Sequence, residues 1–573
     1  MRGSLPRGVV YLLAASLGLA ALAHLPALSN RLIYDDVALI EINALLRTTA
    51  GLRTLMTHAT LTSSPIWPQH YRPLLMLTLW LNYHLGAGVE PLAYRATNLA
   101  IHLGNGVLAF FLLRRALERR VAAPLGDWAA AFGASIFLLH PIQSIVIDLV
   151  LKRNSSLCAL WLFAAVLSYA RALDATSTRA RAVAFSGALL FGTLAMLTKE
   201  DAIVLPALIA LWALWSGRGR LRHAAPFCLA PALFALRIAP HETMLRAQSS
   251  AFGHLLAQPL ALARYAEMLV HPDAIAISYE LQPMTQPFPW LRLVALVTLA
   301  LSVVAVVIGG WRRSPLAALA VAWAVILLMP SSSLFPLFLT MDEVRVYASL
   351  LFVFGLMGLG LARLTFFIRH RAARLRSAGF LALSPWLLVA ALQAAGDLQQ
   401  DRLWSDSLAA YAHAVDRYPR SQLGNRGLCE QLFSRTSAPA AIEQCSRAVS
   451  LWPYDPTSRY FLVGALAKAG QLERAARVAD DAVRDFPASD VAWAARGHLA
   501  WFRDDYPAAA AAYRRVLAIN PLDDDVRVHL ADVLAATGDG DGVRRICQSF
   551  AGAPPGRADD RALLASVCAR VRP

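Results

Sequence analysis

The chain is long, apolar and basic, and these features together exclude a single soluble domain. It has 573 residues, of which 57% are hydrophobic and only 16% are charged, too apolar a composition for an ordinary globular protein. The net charge of +16 is compatible with nucleic-acid binding, but no DNA- or RNA-binding signature stands beside the arginines. Arginines retained in short cytoplasmic loops explain the same charge, so we expect an all-α protein that crosses a membrane several times and binds no nucleic acid.

The first predicted element is a membrane anchor at the N-terminus. A basic segment ends at Arg7, and the apolar run from Val9 to Leu28 has the ~20 residues that a helix needs to cross a bilayer. This run is longer than the core of a signal peptide, so we predict an uncleaved anchor. With the later apolar runs we predict eleven membrane helices, at residues 9–28, 97–114, 128–146, 155–171, 182–198, 201–216, 224–239, 291–310, 315–331, 346–364 and 378–396.

The arginines predict the orientation of these helices. With a cytoplasmic N-terminus, the inner loops are residues 115–127, 172–181, 217–223, 311–314 and 365–377. Each of these loops is rich in arginine, as the positive-inside rule requires. The apolar segment 255–270 carries Arg264 and Glu267, so we predict that it lies along the outer interface as an amphipathic helix. The same parity places everything after Gly396 outside.

Many ionisable side chains lie in the predicted outer loops. The two longest of these loops are residues 29–96 and 240–290. Charges at a membrane edge are costly unless they have a partner or a function, so charges that converge on one face predict a site. The candidates in these loops and at the adjoining helix ends are Asp35, Asp36, Tyr71, Arg72, Asn98, His102, His140, Lys152, Arg153, Lys199, Glu200, Asp201, Glu343, Arg345 and Tyr347.

Several of these candidates also have a purely structural interpretation. The adjacent aspartates, taken alone, can be solvated loop charges. Asn98 and His102 lie four residues apart on one helix face, and a hydrogen bond between packed helices is the favoured role for them. Lys152 and Arg153 can extend their charged ends to an interface. The proline after His140 disfavours helical geometry there and can turn the imidazole towards the site.

The residue types suit transfer of a group from a lipid-linked phosphate. A carboxylate can accept the proton of an attacking hydroxyl. Lysine and arginine can hold the phosphate and stabilise the charge that it gains as it leaves. A lipid donor can reach such a pocket from the bilayer, and an amphipathic helix predicted to run from Pro73 to Tyr83 would shape the pocket at the membrane edge. No glycine-rich nucleotide loop appears, so a soluble nucleotide-sugar donor is not indicated.

A metal requirement is left open by the sequence. Paired carboxylates such as Asp35 and Asp36 bind Mg²⁺ or Mn²⁺, although a site without metal is the favoured interpretation. No His/Cys cluster has the spacing of a zinc site. No cofactor is therefore assigned, and a divalent metal at the two aspartates remains an alternative.

The last third of the chain is a repeat. Prolines recur every 34 residues, at Pro419, Pro453, Pro487, Pro521 and Pro555, which is the period of the tetratricopeptide repeat (TPR). Stacked TPR helix pairs form a curved surface that usually binds peptide, and a structural cap is the alternative. We predict a membrane domain at residues 1–396 and an external TPR domain at residues 397–573.

The predicted external domain holds four cysteines. An oxidising compartment permits disulfides there, and four cysteines allow three pairings. We favour Cys429–Cys445 and Cys547–Cys568, because the first two occupy facing helices of one repeat; reduced packing residues are the alternative. The two remaining cysteines lie in predicted membrane helices, where we expect inert packing residues.

Several short motifs follow one another in a characteristic order along the chain. They are Tyr34-Asp35-Asp36, Tyr71-Arg72-Pro73-Leu74, Thr97-Asn98-Leu99 with His102, His140-Pro141-Ile142, Arg153, Thr198-Lys199-Glu200, the segment from Pro330 to Pro336, and Glu343, Arg345 and Tyr347. In this order the motifs resemble the TMTC family of transmembrane and TPR-containing protein O-mannosyltransferases, which have a GT-C membrane fold. The resemblance runs through most of residues 30–365 and extends to the TPR tail.

The resemblance implies an inverting glycosyltransferase. It would move a sugar, mannose in this family, from a polyprenyl- or dolichyl-phosphate donor to a serine or threonine hydroxyl of an acceptor protein. It implies a catalytic base at Asp35 or Asp36, with Asp36 favoured. The implied donor-phosphate ligands are Lys199, Arg345, Arg72 and Arg153. The implied supporting residues are Glu200, Asp201, Glu343, His140, His102, Asn98, Tyr71 and Tyr347.

This chain departs from the family pattern in three places, which put the acceptor and the sugar in doubt. Gln143 stands where the family usually has histidine or a similar polar residue, Lys152 stands where a glycine is common, and the TPR array is short and divergent. Transfer to a lipid or polysaccharide, a non-catalytic TPR scaffold and a transporter remain alternatives. The Ala- and Arg-rich composition suggests a bacterial inner membrane with a periplasmic catalytic face.

Overall fold

The structure, a computed structural model, is helical throughout the part of the chain that it describes. The described residues are 5–62, 70–86, 88–118, 120–238, 251–280, 290–334, 339–372, 378–521, 523–550 and 558–570. Within these ranges no residue is in a β-strand. The predicted all-α class is therefore confirmed.

The membrane region consists of long apolar helices joined by short helical turns. Its α-helices are α1 (Arg7–Ala23), α2 (Thr49–Thr57), α3 (Pro73–Leu85), α4 (Pro91–Leu117), α5 (Leu125–Leu139), α6 (Ile145–Asp148), α7 (Arg153–Asp174), α8 (Thr178–Thr198), α9 (Leu205–Ser216), α10 (Leu229–Ile238), α11 (Ala251–Met268), α12 (Trp290–Val304), α13 (Gly310–Arg313), α14 (Pro315–Met329), α15 (Leu351–Arg371) and α16 (Ala378–Leu403). Short 3₁₀ or π segments lie at Pro26–Ser29, Val37–Glu41, Ala44–Arg47, Pro141–Gln143, Val150–Lys152, Glu200–Val204, Leu221–Cys228, Pro272–Ala274, Ala305–Gly309, Pro330–Leu334 and Glu343–Val346.

Length and composition make this a multi-pass membrane protein. In the described residues, eight continuous helical segments are long and apolar enough to cross a bilayer: Arg7–Ser29, Pro91–Leu117, Val150–Asp174, Thr178–Thr198, Trp290–Arg313, Pro315–Ser332, Leu351–Arg371 and Leu381–Leu403. A ninth candidate is the pair Leu125–Leu139 and Pro141–Asp148, bent by 59°. The predicted spans at 201–216 and 224–239 match shorter helices, because α9 has only 12 residues and the apolar stretch Leu221–Leu236 includes a 3₁₀ turn.

The bundle has two chemically different ends. At one end, which we call the arginine end, Arg114 donates to Asp127 at 2.9 Å and Arg218 donates to Asp174 at 2.6 Å. Asp174 also pairs with Arg115, so these contacts join three loops that the sequence predicts to be cytoplasmic. Helices α4, α5 and α7 run from this end to the other, so the remaining loops gather at the opposite end, which also carries the C-terminal tail. We call it the tail end.

The core of the bundle depends on close helix contacts. Helices α5 and α15 touch through glycine, since a Cβ added at Gly358 would lie 2.4 Å from the backbone nitrogen of Gly133. Large side chains such as Trp323 and Phe137 fill the adjoining space and are fully buried. This close packing holds the loops of the tail end at defined positions.

The tail is an array of antiparallel helix pairs, as the proline period predicts. Its helices are α17 (Ser407–Arg417), α18 (Gln422–Arg435), α19 (Ala438–Leu451), α20 (Pro456–Lys468), α21 (Leu472–Asp485), α22 (Asp490–Phe502), α23 (Tyr506–Ile519), α24 (Asp524–Ala536), α25 (Gly540–Ser549) and α26 (Ala558–Ala569). Pro419, Pro453, Pro487 and Pro521 each lie two residues beyond the end of a helix, where proline prevents the helix from continuing. Pro555 lies outside the described residues.

The tail packs directly on the membrane region. The Tyr418 hydroxyl donates to the carbonyl of Ala274 at 2.8 Å, and the hydroxyls of Ser278 and Ser421 lie 2.6 Å apart. Helix α16 continues through residue 397 and ends at Leu403, so the chain enters the tail without a linker at the predicted boundary.

Two disulfides lie inside the tail. Cys429 bonds to Cys445 with a Cα–Cα distance of 4.8 Å, and Cys547 bonds to Cys568 with a Cα–Cα distance of 6.0 Å. This is the pairing that we favour from the sequence. Both bonds join helices that are neighbours in the array.

Candidate functional site

The two adjacent aspartates have different environments. Tyr34, immediately before them, has a φ of 56°, a left-handed conformation that is uncommon for a bulky residue and directs the following side chains. Asp36 is fully buried, and its two carboxylate oxygens accept the backbone N–H groups of Val150 and Leu151 at 2.7 and 2.8 Å. Asp36 therefore ties the first loop to the start of the span that contains α7.

Asp35 is only partly buried and lies near charges of both signs. Burial raises the pKa of Asp35 to about 7; the Lys152 charge opposes this rise, and the charges of Asp36 and Asp342 add to it. A carboxyl with a pKa near neutrality is suited to general-base catalysis, because it can both take and release a proton.

A second acidic pair approaches from the segment before α15. The Lys152 ammonium lies 2.5 Å from Oδ2 of Asp342. Burial raises the pKa of Asp342, but the nearby charges of Lys152 and Arg345 outweigh it and hold that pKa below its usual range. The Tyr265 hydroxyl donates to the carbonyl of Asp342 at 2.9 Å, so helix α11 positions this residue.

Glu343 faces the tail side of the same segment. It is buried and accepts the Tyr279 hydroxyl at 2.7 Å. Burial and the charge of Asp342 raise the pKa of Glu343 to about 7. A narrow cleft opens between these groups, lined by Tyr34, Lys152, Ser278, Tyr279, Asp342, Glu343 and Trp404 among others. We call it the carboxylate cleft.

A second charged cluster, the Arg72 cluster, consists of Arg72, Glu200, His70, Lys199 and Asp201. Arg72 donates to both oxygens of Glu200, at 2.9 and 2.5 Å. Burial raises the pKa of Glu200, but the Arg72 and His70 charges hold it well below its usual range. Lys199 donates to Ser155 at 2.8 Å and pairs with Asp201 at 2.7 Å.

The two sites are connected through the start of α7. Lys199 donates to Ser155, and Ser155 lies just after Lys152, which pairs with Asp342, so the Arg72 cluster lies beside the carboxylate cleft. The structure thus brings Asp35, Lys152, Asp342 and Lys199 to one region of the tail end. A substrate there would meet carboxylates and ammonium groups together.

Arg345 lies in the same segment as Asp342 and Glu343, but its side chain bonds to the loop that precedes this segment. Its guanidinium donates to the carbonyls of Thr340 and Leu339 at 2.9 and 2.5 Å. Phe335 and Pro336, the end of the preceding motif, lie outside the described residues.

Arg153 lies deeper and acts as a structural centre. It is fully buried and donates to Asn98 at 2.6 Å, to Thr78 at 3.0 Å and to the Tyr94 carbonyl at 2.8 Å. Asn98 in turn donates to the carbonyl of Val146. The structure places this pair among helices α3, α4 and α7, where it joins them.

His102, His140 and Tyr71 also form hydrogen bonds to other groups of the protein. His102 lies 2.9 Å from the Tyr347 hydroxyl and contacts the Leu138 carbonyl through its other nitrogen. The His140 ring accepts the backbone N–H of Ile142 at 3.2 Å, so it caps its own turn. The Tyr71 hydroxyl donates to the carbonyl of Met56 at 3.0 Å.

Three contributors escaped prediction from the sequence. Arg95 is buried and donates to the carbonyls of Asn30, Arg31 and Asp148, which fixes the chain just before the aspartates. Tyr265 and Tyr279 orient Asp342 and Glu343. Arg95, a charge near the start of a predicted span, could have been found from its cost in that position; the tyrosines carry no such signal.

Parts of the chain are similar in sequence to known proteins. Residues 503–570 match the profile of the tetratricopeptide repeat. The chain is 29% identical over 194 residues to protein O-mannosyl-transferase TMTC4 of Homo sapiens, covering 31% of this chain and 26% of that protein. It is 30% identical over 142 residues to protein O-mannosyl-transferase TMTC3 of Mus musculus, covering 24% of this chain and 14% of that protein.

A third relative is protein O-mannosyl-transferase TMTC1 of Mus musculus, 28% identical over 229 residues, covering 37% of this chain and 23% of that protein. Among solved structures, a thermophilic TPR protein of Thermus thermophilus aligns with a TM-score of 0.26 and 20% identity, covering 32% of this chain and 96% of that chain. The matches to the three curated relatives span between 14% and 26% of their length. The resemblance to the TMTC family is confirmed.

Proposed function

We propose that the chain is a glycosyltransferase that moves mannose from a polyprenyl-phosphate donor to a serine or threonine hydroxyl of a protein, with inversion. The curated relatives are named protein O-mannosyl-transferases, which supports the reaction class. The observation that carries the proposal is the partly buried Asp35, whose pKa is raised to about 7 beside Lys152 and Asp342. The site faces the outer side of a bacterial inner membrane in this proposal.

Asp35, rather than Asp36, is the base in this mechanism. Its carboxylate takes the proton of the acceptor hydroxyl while the hydroxyl oxygen attacks the anomeric carbon of the sugar. The bond from that carbon to the phosphate oxygen breaks, and the polyprenyl phosphate leaves with the bonding electrons. Asp36 is a positioning residue, because each of its oxygens already accepts a backbone N–H. That arrangement is also a poor fit to a metal bound between the two aspartates.

Lys199 and Arg72 are the proposed ligands of the donor phosphate. Each is held by an acidic partner in the Arg72 cluster, which keeps the cation in place until a phosphate competes for it. Arg345 anchors its loop and reaches the phosphate only if that loop rearranges. Arg153 supports the helices behind the site.

Transfer by a membrane preparation tests the roles of the two aspartates. The substrates are radiolabelled polyprenyl-phosphate mannose and a Ser/Thr-rich protein acceptor. We expect Asp35→Asn to lower transfer by roughly 10² to 10⁴, the usual contribution of a general base. Asp36→Asn, which leaves one oxygen to accept a backbone N–H, should lower transfer less than Asp35→Asn.

A matched control is Glu90→Gln, since Glu90 is an exposed carboxylate of the same loop. It should leave transfer unchanged at equal protein level. Full activity in Asp35→Asn would contradict the base assignment. Label in a lipid or polysaccharide fraction rather than in protein would redirect the acceptor, and no transfer by the wild type with any acceptor would favour a scaffold.

A further inference from the structure

The tail contains a group of metal-ligating side chains that the proposed transfer reaction does not use. One ligand atom from each of His498, Asp525 and His529 lies within 4.8 Å of the other two. His498 is on α22, whereas Asp525 and His529 are one turn apart on α24. The three residues therefore bridge two repeats of the array, and their approach is created by the tertiary structure.

The imidazoles have nitrogens available for a ligand. Nε2 of His498 and Nδ1 of His529 are buried without a hydrogen-bond partner, and the hydroxyl of neighbouring Tyr513 is in the same condition. Buried polar atoms are bonded in the great majority of cases, so three such atoms around one point need an explanation. The rings of His498 and His529 have centroids 4.9 Å apart.

The surroundings already resemble those of a metal ligand. The Nδ1 atom of His498 lies 3.1 Å from the Tyr460 hydroxyl. Metal-binding histidines almost always use their second nitrogen in this way, which sets the tautomer and the ring orientation. Oδ1 of Asp525 lies 3.8 Å from Nε2 of His529, as expected for side chains at i and i+4 of one helix.

We propose that His498, Asp525 and His529 form a binding site for a divalent transition metal of the Zn²⁺ class. Two imidazoles and one carboxylate suit Zn²⁺ and disfavour Ca²⁺ and Mg²⁺, which prefer all-oxygen sites. Tetrahedral zinc with bonds near 2.0–2.1 Å places its ligand atoms roughly 3.4 Å apart, and the three ligand atoms here lie within 4.8 Å of one another. His498 and His529 also line a cavity of about 200 Å³ between the repeats, which leaves room for a further ligand.

Metal uptake by the full-length protein tests this site. The protein is purified with a tag free of histidine, stripped with a chelator and dialysed against Zn²⁺, and bound metal is counted by mass spectrometry. Co²⁺ then serves as a probe, because tetrahedral Co²⁺ absorbs visible light intensely. We expect His498→Gln, Asp525→Asn and His529→Gln each to weaken Zn²⁺ binding at this site by about tenfold or more and to abolish the tetrahedral spectrum.

His413→Gln is the matched control, because His413 is a partly buried tail histidine outside the cluster, whose ring lies 3.1 Å from the carbonyl of Asp273. It should bind metal like the wild type. Tyr460→Phe should weaken binding while keeping the spectrum, as expected for a residue that only orients a ligand. Unchanged helical content would show that the variants fold. Equal Zn²⁺ stoichiometry and affinity in the wild type and in folded His498→Gln would overturn the proposal, whatever the transferase activity proves to be.

Discussion

At the scale of single residues, hydrogen bonding separates groups that are adjacent in sequence. Asp35 and Asp36 are chemically identical, yet Asp36 accepts two backbone N–H groups and Asp35 lies among ionised side chains. The residue before them, Tyr34, has a left-handed backbone conformation. Hydrogen-bond partners also distinguish two buried arginines. Arg72 bonds to a carboxylate, whereas Arg153 bonds to an amide, a hydroxyl and a carbonyl.

The pH dependence of transfer follows from the pKa of Asp35. A base acts only when it is deprotonated, and the pKa of Asp35 is raised from 3.8 to about 7. Transfer should therefore rise with pH through about 7 instead of through the ordinary carboxyl range. The measurement is kcat/KM for the donor against pH, which reports groups of the free enzyme.

Glu343 is the control for this pH profile, because its pKa is also raised to about 7. In Glu343→Gln the rise near neutrality should persist, since Asp35 is unchanged. Loss of the rise in that variant would assign the titration to Glu343 and contradict the role of Asp35.

At the scale of secondary-structure elements, local signals determine most helix ends. In the tail, Asp455, Ser489 and Asp523 each cap the first turn of a helix by accepting backbone N–H groups, and a proline follows each helix pair. Such signals act within a few residues of a helix end. Because the prolines recur every 34 residues, they predict a repeated pair of helices. The predicted span at 128–146 is instead bent by 59°, because Pro141 interrupts the helix after Leu139.

Removal of the first disulfide should destabilise the tail. Cys429 and Cys445 are 16 residues apart, and closing a loop of that size contributes about 3 kcal/mol by restricting the unfolded chain. The double variant Cys429→Ala, Cys445→Ala should therefore lower the urea midpoint at which the tail becomes protease-sensitive. A C-terminal epitope reports the intact tail in this measurement.

The control for this variant is Cys158→Ala, because Cys158 is a free, buried cysteine of α7 in the membrane region. It should leave the midpoint of the tail unchanged. An unaltered midpoint in the double variant, or alkylation of Cys429 in the unreduced protein, would show that the bond does not stabilise the native tail.

At the scale of the whole molecule, the ion pairs of the arginine end and the candidate site lie at opposite ends of one bundle. The arginine loops meet at one end, and both charged clusters lie at the other with the tail. A single membrane orientation therefore decides the compartment of the site, the disulfides and the TPR array together. The positive-inside rule predicts that this compartment is external.

Reporter fusions test this orientation. Alkaline phosphatase is active only outside the cytoplasm, so a fusion after Ser405, just beyond α16, should be active. A fusion after Gly219, at the arginine end, should be inactive, while a fluorescent cytoplasmic reporter at the same two points should show the reverse. An expressed but inactive phosphatase fusion after Ser405 would place the site and the tail in the cytoplasm.

The amino-acid sequence by itself determined the features that depend on local composition and period. Apolar length indicates most of the spans, loop arginines indicate the orientation, and the 34-residue proline period indicates the tail. The family motifs also predict that Asp35, Arg72, Lys199 and Glu200 belong to one site.

Only the tertiary structure decided the role of each group, because those roles depend on partners distant in the chain. Asp36 meets Val150 across 114 residues, and Lys152 meets Asp342 across 190. His498 comes within reach of His529 only when α22 and α24 stack. Hydrogen bonds and ion pairs act over a few ångströms in space, and the order of residues along a chain does not encode those distances directly.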